Sequence, residues 1–289
     1  MIAFAGNSLL CRAALKQTSI DAASFTLIRI FSGAIALWLI QRLLRVERTA
    51  APLVERSHNS SLVTRHWSLP QAGNWLSALA LFVYAAAFSF AYRTLSAATG
   101  ALLLFGAVQA TMIFWGLRQG ERLRVLQLIG LATALGGLVA LVLPGLSAPS
   151  LGGSTLMLAA GVAWGIYSLR GKGAGDPIDA TAGNFIRAVP FALALSIFLF
   201  PWARVDRAGM VYAILSGALA SGLGYVIWYG ALPSLKAASA ATVQLCVPVL
   251  AASGGILLLG EPLTLRFLVA AAAVLGGIAL VVIEKRSAL

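Results

Sequence analysis

Three amides and two aromatic stripes are the groups in this chain whose types and spacing suit a small ligand. Asn7, Gln109 and Gln244 each stand in a long apolar stretch. A carboxamide offers two donors and an acceptor, so each could hold a ligand's polar end, with plain interhelical hydrogen bonding as the other reading. Tyr84, Phe88 and Tyr92 fall at i, i+4 and i+8, one face of a helix. Ser221, Tyr225 and Trp228 fall at i, i+4 and i+7 in a later run. Together with Trp164 these rings could sandwich an apolar or aromatic side chain. Trp38, Trp75, Trp115, Trp202 and Tyr229 sit near the ends of apolar runs or on a peripheral one and read as interfacial belt residues. Pro248 lacks an amide hydrogen and its ring crowds the carbonyl of Gln244, which predicts a bend that could serve as a hinge or only as packing.

Other chemistry has no such constellation. His58 and His66 lie in one polar stretch, and the nine Asp and Glu residues all fall at the edges of apolar runs or between them. No catalytic group, metal site or cofactor site is expected, and the chain does not read as an enzyme. Cys11 and Cys246 lie inside apolar runs, as packing residues do.

These groups need helices in a bilayer to position them. The chain is 60% hydrophobic and 10% charged, against about 45–50% and about 25% for soluble domains. Its net charge of +12 is carried mostly by short segments between apolar runs, which points to membrane topology and not to nucleic acid. Breaks at charges, prolines and glycine clusters predict ten spans, at about 2–17, 22–43, 72–93, 95–117, 123–143, 151–170, 178–200, 208–230, 237–259 and 263–283. The first run has no basic leader or cleavage-like site, so it reads as a span and not a signal peptide. Its apolar part, 2–15, is shorter than the about 17–25 residues a crossing needs, so the start is expected to lack a turn. The one long connector, 44–71, reads as a solvated loop.

Residues 95–141 recur at an offset of 140 as 235–281, with 13 of 47 positions identical without a gap. Gly120-Glu121 matches Gly260-Glu261 and Gly136-Gly137 matches Gly276-Gly277. The offset carries the third, fourth and fifth spans onto the eighth, ninth and tenth. Asp21-Ala22 and Ile28-Arg29 likewise correspond to Asp179-Ala180 and Ile186-Arg187. Five spans is an odd number, so matched spans run in opposite directions. The expected fold is an all-α integral membrane protein of ten helices in a 5+5 inverted repeat, with halves 1–146 and 147–289. With the N-terminus inside, 13 of the 21 Lys and Arg fall in cytoplasmic segments and 6 outside, while Arg29 and Arg187 lie within spans. Both termini are therefore expected in the cytoplasm.

The ten spans in two inverted halves, the Gly-Glu pair after the fourth and ninth spans, an Arg after an Asp in the second and seventh, Trp164-Gly165 and Pro248 together resemble the drug/metabolite transporter superfamily, in its EamA-type branch. The aromatic content is similar to that of the aromatic amino-acid exporters of bacterial inner membranes. The resemblance implies a cavity formed by the first, third, fourth, sixth, eighth and ninth spans. It would be lined unequally, since Ala5-Gly6 stands where the second half has Trp164-Gly165, and Val108 stands opposite Pro248. Arg29 and Arg187, on spans outside that cavity, are expected to be structural, held by helix-end carbonyls or nearby acids. Glu121 and Glu261 are expected to cap the fifth and tenth helices. Gly161 and Gly165 form a small-residue face suited to tight packing.

The expectation is a multi-pass inner-membrane carrier that exports a small, partly apolar metabolite by alternating access and facilitated movement. Aromatic or hydrophobic amino acids are the leading class. Its partners would be that substrate and the lipid bilayer, and the sequence fixes no oligomeric state. Two readings stay open: an exporter of cationic drugs or other metabolites, and a non-transporting membrane scaffold or receptor.

Overall fold

The structure is a computed structural model that describes residues 1–50, 72–120, 124–143, 145, 148–171, 176–231, 244 and 246–286, apart from the side chains of 45–50, 229–231 and 282–286. In chain order the helices are α1 (Ile2–Gln17), α2 (Ala22–Ala50), α3 (Trp75–Ala91), α4 (Ala97–Arg118), α5 (Val125–Val142), α6 (Leu151–Gly171), α7 (Pro177–Phe198), α8 (Arg207–Ile214), a π-helical segment (Leu215–Leu223), α9 (Gly224–Ala231), α10 (Cys246–Leu259) and α11 (Leu265–Arg286). A 3₁₀ turn, Phe200–Trp202, follows α7. No strand occurs among the described residues. α8, the π-helical segment and α9 run on as one rod, so the described residues form ten rods, consistent with the ten expected spans, although 237–243 and 245 of the ninth expected span lie outside the described set. Among the described residues five stretches are long and apolar enough to cross a membrane: Ala22–Leu44, Ala97–Arg118, Val125–Val142, Pro177–Phe198 and Arg207–Trp228. Trp75–Ala91, Cys246–Leu259 and Leu265–Val281 are shorter apolar helices.

Local chemistry sets the starts. Asn74 accepts a bond from the Ser77 amide at 2.9 Å, Ser96 from Thr99 at 3.2 Å, and Asp206 from Gly209 at 3.3 Å. Asp176 caps α7 with Pro177 at its first turn. Gly120 and Gly260, the matched glycines of the repeat, both adopt positive φ, +87° and +62°, where a side chain would be strained. They stand just past the ends of α4 and α10. The expected loop 44–71 begins later than its polarity suggests. α2 continues to Ala50 because no Gly or Pro stops it, and residues 51–71 lie outside the described set.

The bundle is built from close helix crossings. α5 lies against α11, α2 against α7 and α4 against α10, while α3 and α4 both lean on α6, and α1 packs on α10 and the π-helical segment. Small residues allow this: a Cβ on Gly137 would stand 2.8 Å from Ala273, and one on Gly161 would stand 2.6 Å from Ala107 and from the Leu104 carbonyl. Gly165 meets Thr111 in the same fashion, so the small face of α6 is a packing face against α4, as expected. Cys11 and Cys246 are not joined in a disulfide, and Cys11 is fully buried.

Candidate functional site

At mid-bundle α1, α2, α3, α6 and the eighth rod bring together polar groups that membrane interiors usually exclude. Asn7 donates from Nδ2 to the Tyr84 hydroxyl at 3.2 Å. The Arg29 guanidinium donates from Nη2 to the same hydroxyl at 3.0 Å and from Nε to Ser221 Oγ at 3.4 Å. Ser216 donates in turn to Asn7 Oδ1. Arg29 is only 2% exposed. Its planar head also lies over the rings of Phe88 and Tyr84, 4.9 and 5.3 Å from their centroids.

Aromatic rings close over this network. Trp164 stands 4.9 Å from Tyr84 and 5.1 Å from Tyr225, and Phe4 packs edge-on against Trp164, Tyr225 and Trp228 at 6.2, 5.8 and 6.1 Å. Even Trp164, the most exposed of Tyr84, Phe88, Trp164 and Tyr225, is 8% exposed. The expected aromatic stripes thus meet, in a closed cluster shut off from solvent. Phe4, which sequence reasoning passed over, fills the place opposite Trp164 where the first half has only Ala5.

The π-helical turns supply the two serines. A turn with i→i+5 bonds is wider than an α-turn and often marks a functional position. Here it coincides with the closest approach to α2: a Cβ on Gly217 would collide with the Arg29 carbonyl and the Ser32 hydroxyl. Backbone touches backbone beside Arg29, which places Ser216 and Ser221 on either side of the contact.

Not every expected residue joins. Gln109 is buried, but it faces α5 and α11 across a void of about 10 Å³ with Gly106, Ala134 and Ile278. Gln244 is half-buried just before α10, and Pro248 is buried in the first turn of α10. Trp228 touches the cluster through Phe4 and is half-buried. Tyr92 stands at the C-terminal end of α3, where its fully buried ring meets Phe88 edge-on at 4.7 Å without reaching the hydrogen-bonded centre.

Two charged residues depart from expectation. Arg29 is held by side-chain hydroxyls at the centre and not by helix-end carbonyls, because the docking of the π-helical segment turns its face of α2 inward. Arg187, its counterpart in the second half, does bond carbonyls, those of Ala72 and Gly183 at 2.9 and 3.0 Å. Glu261 does not cap its own following helix, where Thr264 takes that place by accepting from the Phe267 amide. Its carboxylate receives the Ala97 amide at 2.7 Å, capping α4, and Arg12 Nε at 2.8 Å. The gap between α10 and α11 brings the acid over α4 instead. Glu121 lies outside the described residues.

Arg12 also reaches the carbonyls of Tyr92 and Arg93, so this one side chain ties α1, the end of α3 and the Glu261 segment. A cleft of about 260 Å³ opens here, lined by Arg12, Lys16, Thr94, Ser96, Glu261 and Phe267 among others. At the opposite end Arg170 bonds Ser77 and Asn74 at 3.1 and 3.0 Å, tying α6 to α3. Asp21 joins the start of α2 to the segment before α8 through the Arg204 amide at 2.9 Å. Partial burial works to raise its pKa, yet the bonds from Ser24, Arg204 and Ala23 prevail and hold it below the ordinary 3.8. Among the described residues no group of acids, histidines or cysteines could hold a metal ion.

Comparison with known proteins gives the context of this arrangement. The EamA-like transporter family matches residues 151–283. A protein of Pseudomonas aeruginosa described as uncharacterized protein PA1977 is 56% identical over 285 residues, 99% of this chain and 92% of its own. The threonine/homoserine exporter RhtA of Escherichia coli is 36% identical over 119 residues, 39% of each chain. A solved crystal structure shares the fold, with a TM-score of 0.62 at 16% identity over 99% of this chain and 97% of its own. The bundle of apolar helices, the family match and the near full-length relative lead to one assignment: the chain belongs to the EamA-like transporters of the drug/metabolite transporter superfamily, and is a multi-pass membrane transporter and not an enzyme.

Proposed function

We propose that the protein is an alternating-access exporter of the bacterial inner membrane that moves small amino acids, aromatic or otherwise hydrophobic, down their concentration gradient. The observation that carries this reading is the central cluster, in which Asn7, Tyr84 and two serines sit under Phe88, Trp164 and Tyr225. Polar groups for a substrate's ends and rings for its side chain stand side by side, midway between two ends that are each held by an arginine clasp. Trp228, Gln109 and Gln244 are proposed as outer contacts and Pro248 as a hinge, reached when the rods part. The threonine/homoserine exporter RhtA, similar over 39% of the chain, supports amino acids as the broad substrate class.

An inverted repeat of halves 1–146 and 147–289 accounts for the pairing of helices. Exchanging each rod with its partner five places along turns the α3–α6 contact into α1 against the eighth rod, and α4–α6 into α1–α10, both of which occur. Arg12 and Arg170 stand at the same offset of 158 residues as Arg29 and Arg187, and each ties rods at one end of the bundle. The distribution of positive residues puts Arg12 at the external face and both termini in the cytoplasm. With no acid at the centre among the described residues, the substrate gradient alone supplies the driving force.

The test is counterflow in proteoliposomes loaded with unlabelled amino acids, with nucleosides and quaternary amines in parallel. Labelled amino acid should accumulate transiently. Accumulation of quaternary amines alone would favour the cationic-drug reading, and no accumulation of anything would favour a scaffold.

A further inference from the structure

Among the described residues Arg29 is the one fully buried cation, and its bonding is incomplete. Nε and Nη2 reach neutral hydroxyls, while Nη1 is buried with no hydrogen-bond partner. Among the described residues no acid pairs with it: Glu261 is engaged with Arg12 and the Ala97 amide, and Asp21 with the Arg204, Ala23 and Ser24 amides at the end of the bundle. A guanidinium left in this condition inside a membrane is costly. That cost falls when an anion arrives.

The neighbours are set for the same guest. Tyr84 Oη accepts from both Asn7 and Arg29, so its own proton is left to donate. Asn7 is fixed in turn by Ser216, which keeps the phenol in place. Arg29 holds the Tyr84 hydroxyl through Nη2, so its unused Nη1 donor and the phenol proton belong to one hydrogen-bonded pair, and two donors suit the two oxygens of a carboxylate. Among the described residues no carboxylate stands at the centre to meet an ammonium group, and the surfaces around the pair include the rings of Phe88, Trp164 and Tyr225.

We propose that Arg29 and Tyr84 anchor a carboxylate of the transported molecule, so that the carrier selects small organic acids by that group and does not require their α-amino group. The proposal rests on the carrier reading above but makes a claim of its own. It disfavours cationic drugs as cargo, because a permanent positive charge at the centre repels them.

Purified protein in detergent is heated with paired probes, each acid beside its neutral or cationic amide: L-phenylalanine and its amide, L-threonine and its amide, 3-phenylpropionate and its amide. The acids, 3-phenylpropionate included, should raise the unfolding temperature, and the amides should not. Arg29→Met should weaken acid binding at least about tenfold, and Tyr84→Phe by a smaller factor. Arg29→Lys keeps the charge, guards against misfolding of the Met variant, and should retain part of the binding. Amides that stabilise as well as acids, acids that give no shift, or an Arg29→Met protein that folds and binds acids normally would each overturn the proposal. Flux of the same probes in proteoliposomes separates the two claims. Acids that bind without moving would leave the anchor standing and remove the carrier, whereas amides that move as fast as acids would do the reverse.

Discussion

Arg12 and Glu261, 249 positions apart in the chain, meet at 2.8 Å where α1, α3, α4 and α10 converge. Both are largely buried, so each depends on the other, and Glu261 also caps α4. Arg12→Leu should leave a buried carboxylate with only the Ala97 amide and destabilise the protein by about 3 kcal/mol. Adding Glu261→Gln should recover part of that loss. Thermal unfolding of the two single variants and the double variant checks this, and strictly additive losses would show that the pair is not coupled.

The same pair closes the Arg12 end in the carrier reading. A cysteine at Thr99, which lines the cleft there, should react faster with a membrane-impermeant thiol reagent in the Glu261→Gln background, with Cys11 and Cys246 replaced by Ser. Added from outside, the reagent should label it. Labelling only from the cytoplasmic side would reverse the proposed orientation.

Much of the centre was legible in the sequence, and its limits have a physical origin. Asn7, Tyr84, Phe88, Trp164 and Tyr225 stood out because polar or aromatic groups at helical spacing within apolar runs are few, and all five meet. Arg29 was visible as an intramembrane charge, but the direction it faces depends on how α2 docks on the π-helical turns. Nothing in a one-dimensional pattern announces an i→i+5 turn. Gln109 had the same credentials as Asn7 and faces another way, because its helix is wedged against α5, α6 and α10 with polar and small residues on several sides. The partner of Glu261 was hidden for a related reason, since capping of a following helix is a local rule and its bond to α4 is tertiary. The ten rods followed directly from apolar runs and breakers. The extension of α2 to Ala50 was missed because charged helix formers read as loop when polarity is the guide.

Gly217 is the point where the π-helical segment touches the Arg29 carbonyl. Gly217→Ala should push the two apart, lowering stability by about 1–3 kcal/mol and displacing Arg29 from Ser221. Thermal unfolding and the 3-phenylpropionate shift should both fall. A fully stable variant with normal binding would show that the close approach is not needed.

Asp21 carries the pH dependence. Its folded pKa lies below the ordinary 3.8, so its hydrogen bonds contribute stability above that value. The contribution is lost as pH falls through the lower folded value. The unfolding temperature of the wild-type protein in detergent should therefore drop on acidification below about pH 4, and Asp21→Asn should flatten that drop. Parallel acid profiles would contradict the assignment.

Aromatic packing over the site sets substrate preference. Phe88 is fully buried against Tyr84 and Tyr92, so Phe88→Ala would cost about 3–5 kcal/mol by cavity formation alone. Trp164→Phe is the cleaner probe. It should slow flux of phenylalanine several-fold more than flux of threonine, and equal slowing would assign Trp164 to packing.

The central claim is that a substrate gradient alone drives movement through this site. It is tested most directly by amino-acid flux in proteoliposomes at equal substrate on both sides, with and without an imposed pH gradient. The account predicts exchange without net accumulation under either condition. Net accumulation driven by the pH gradient, and abolished by Glu261→Gln, would contradict it and make that carboxylate the proton carrier.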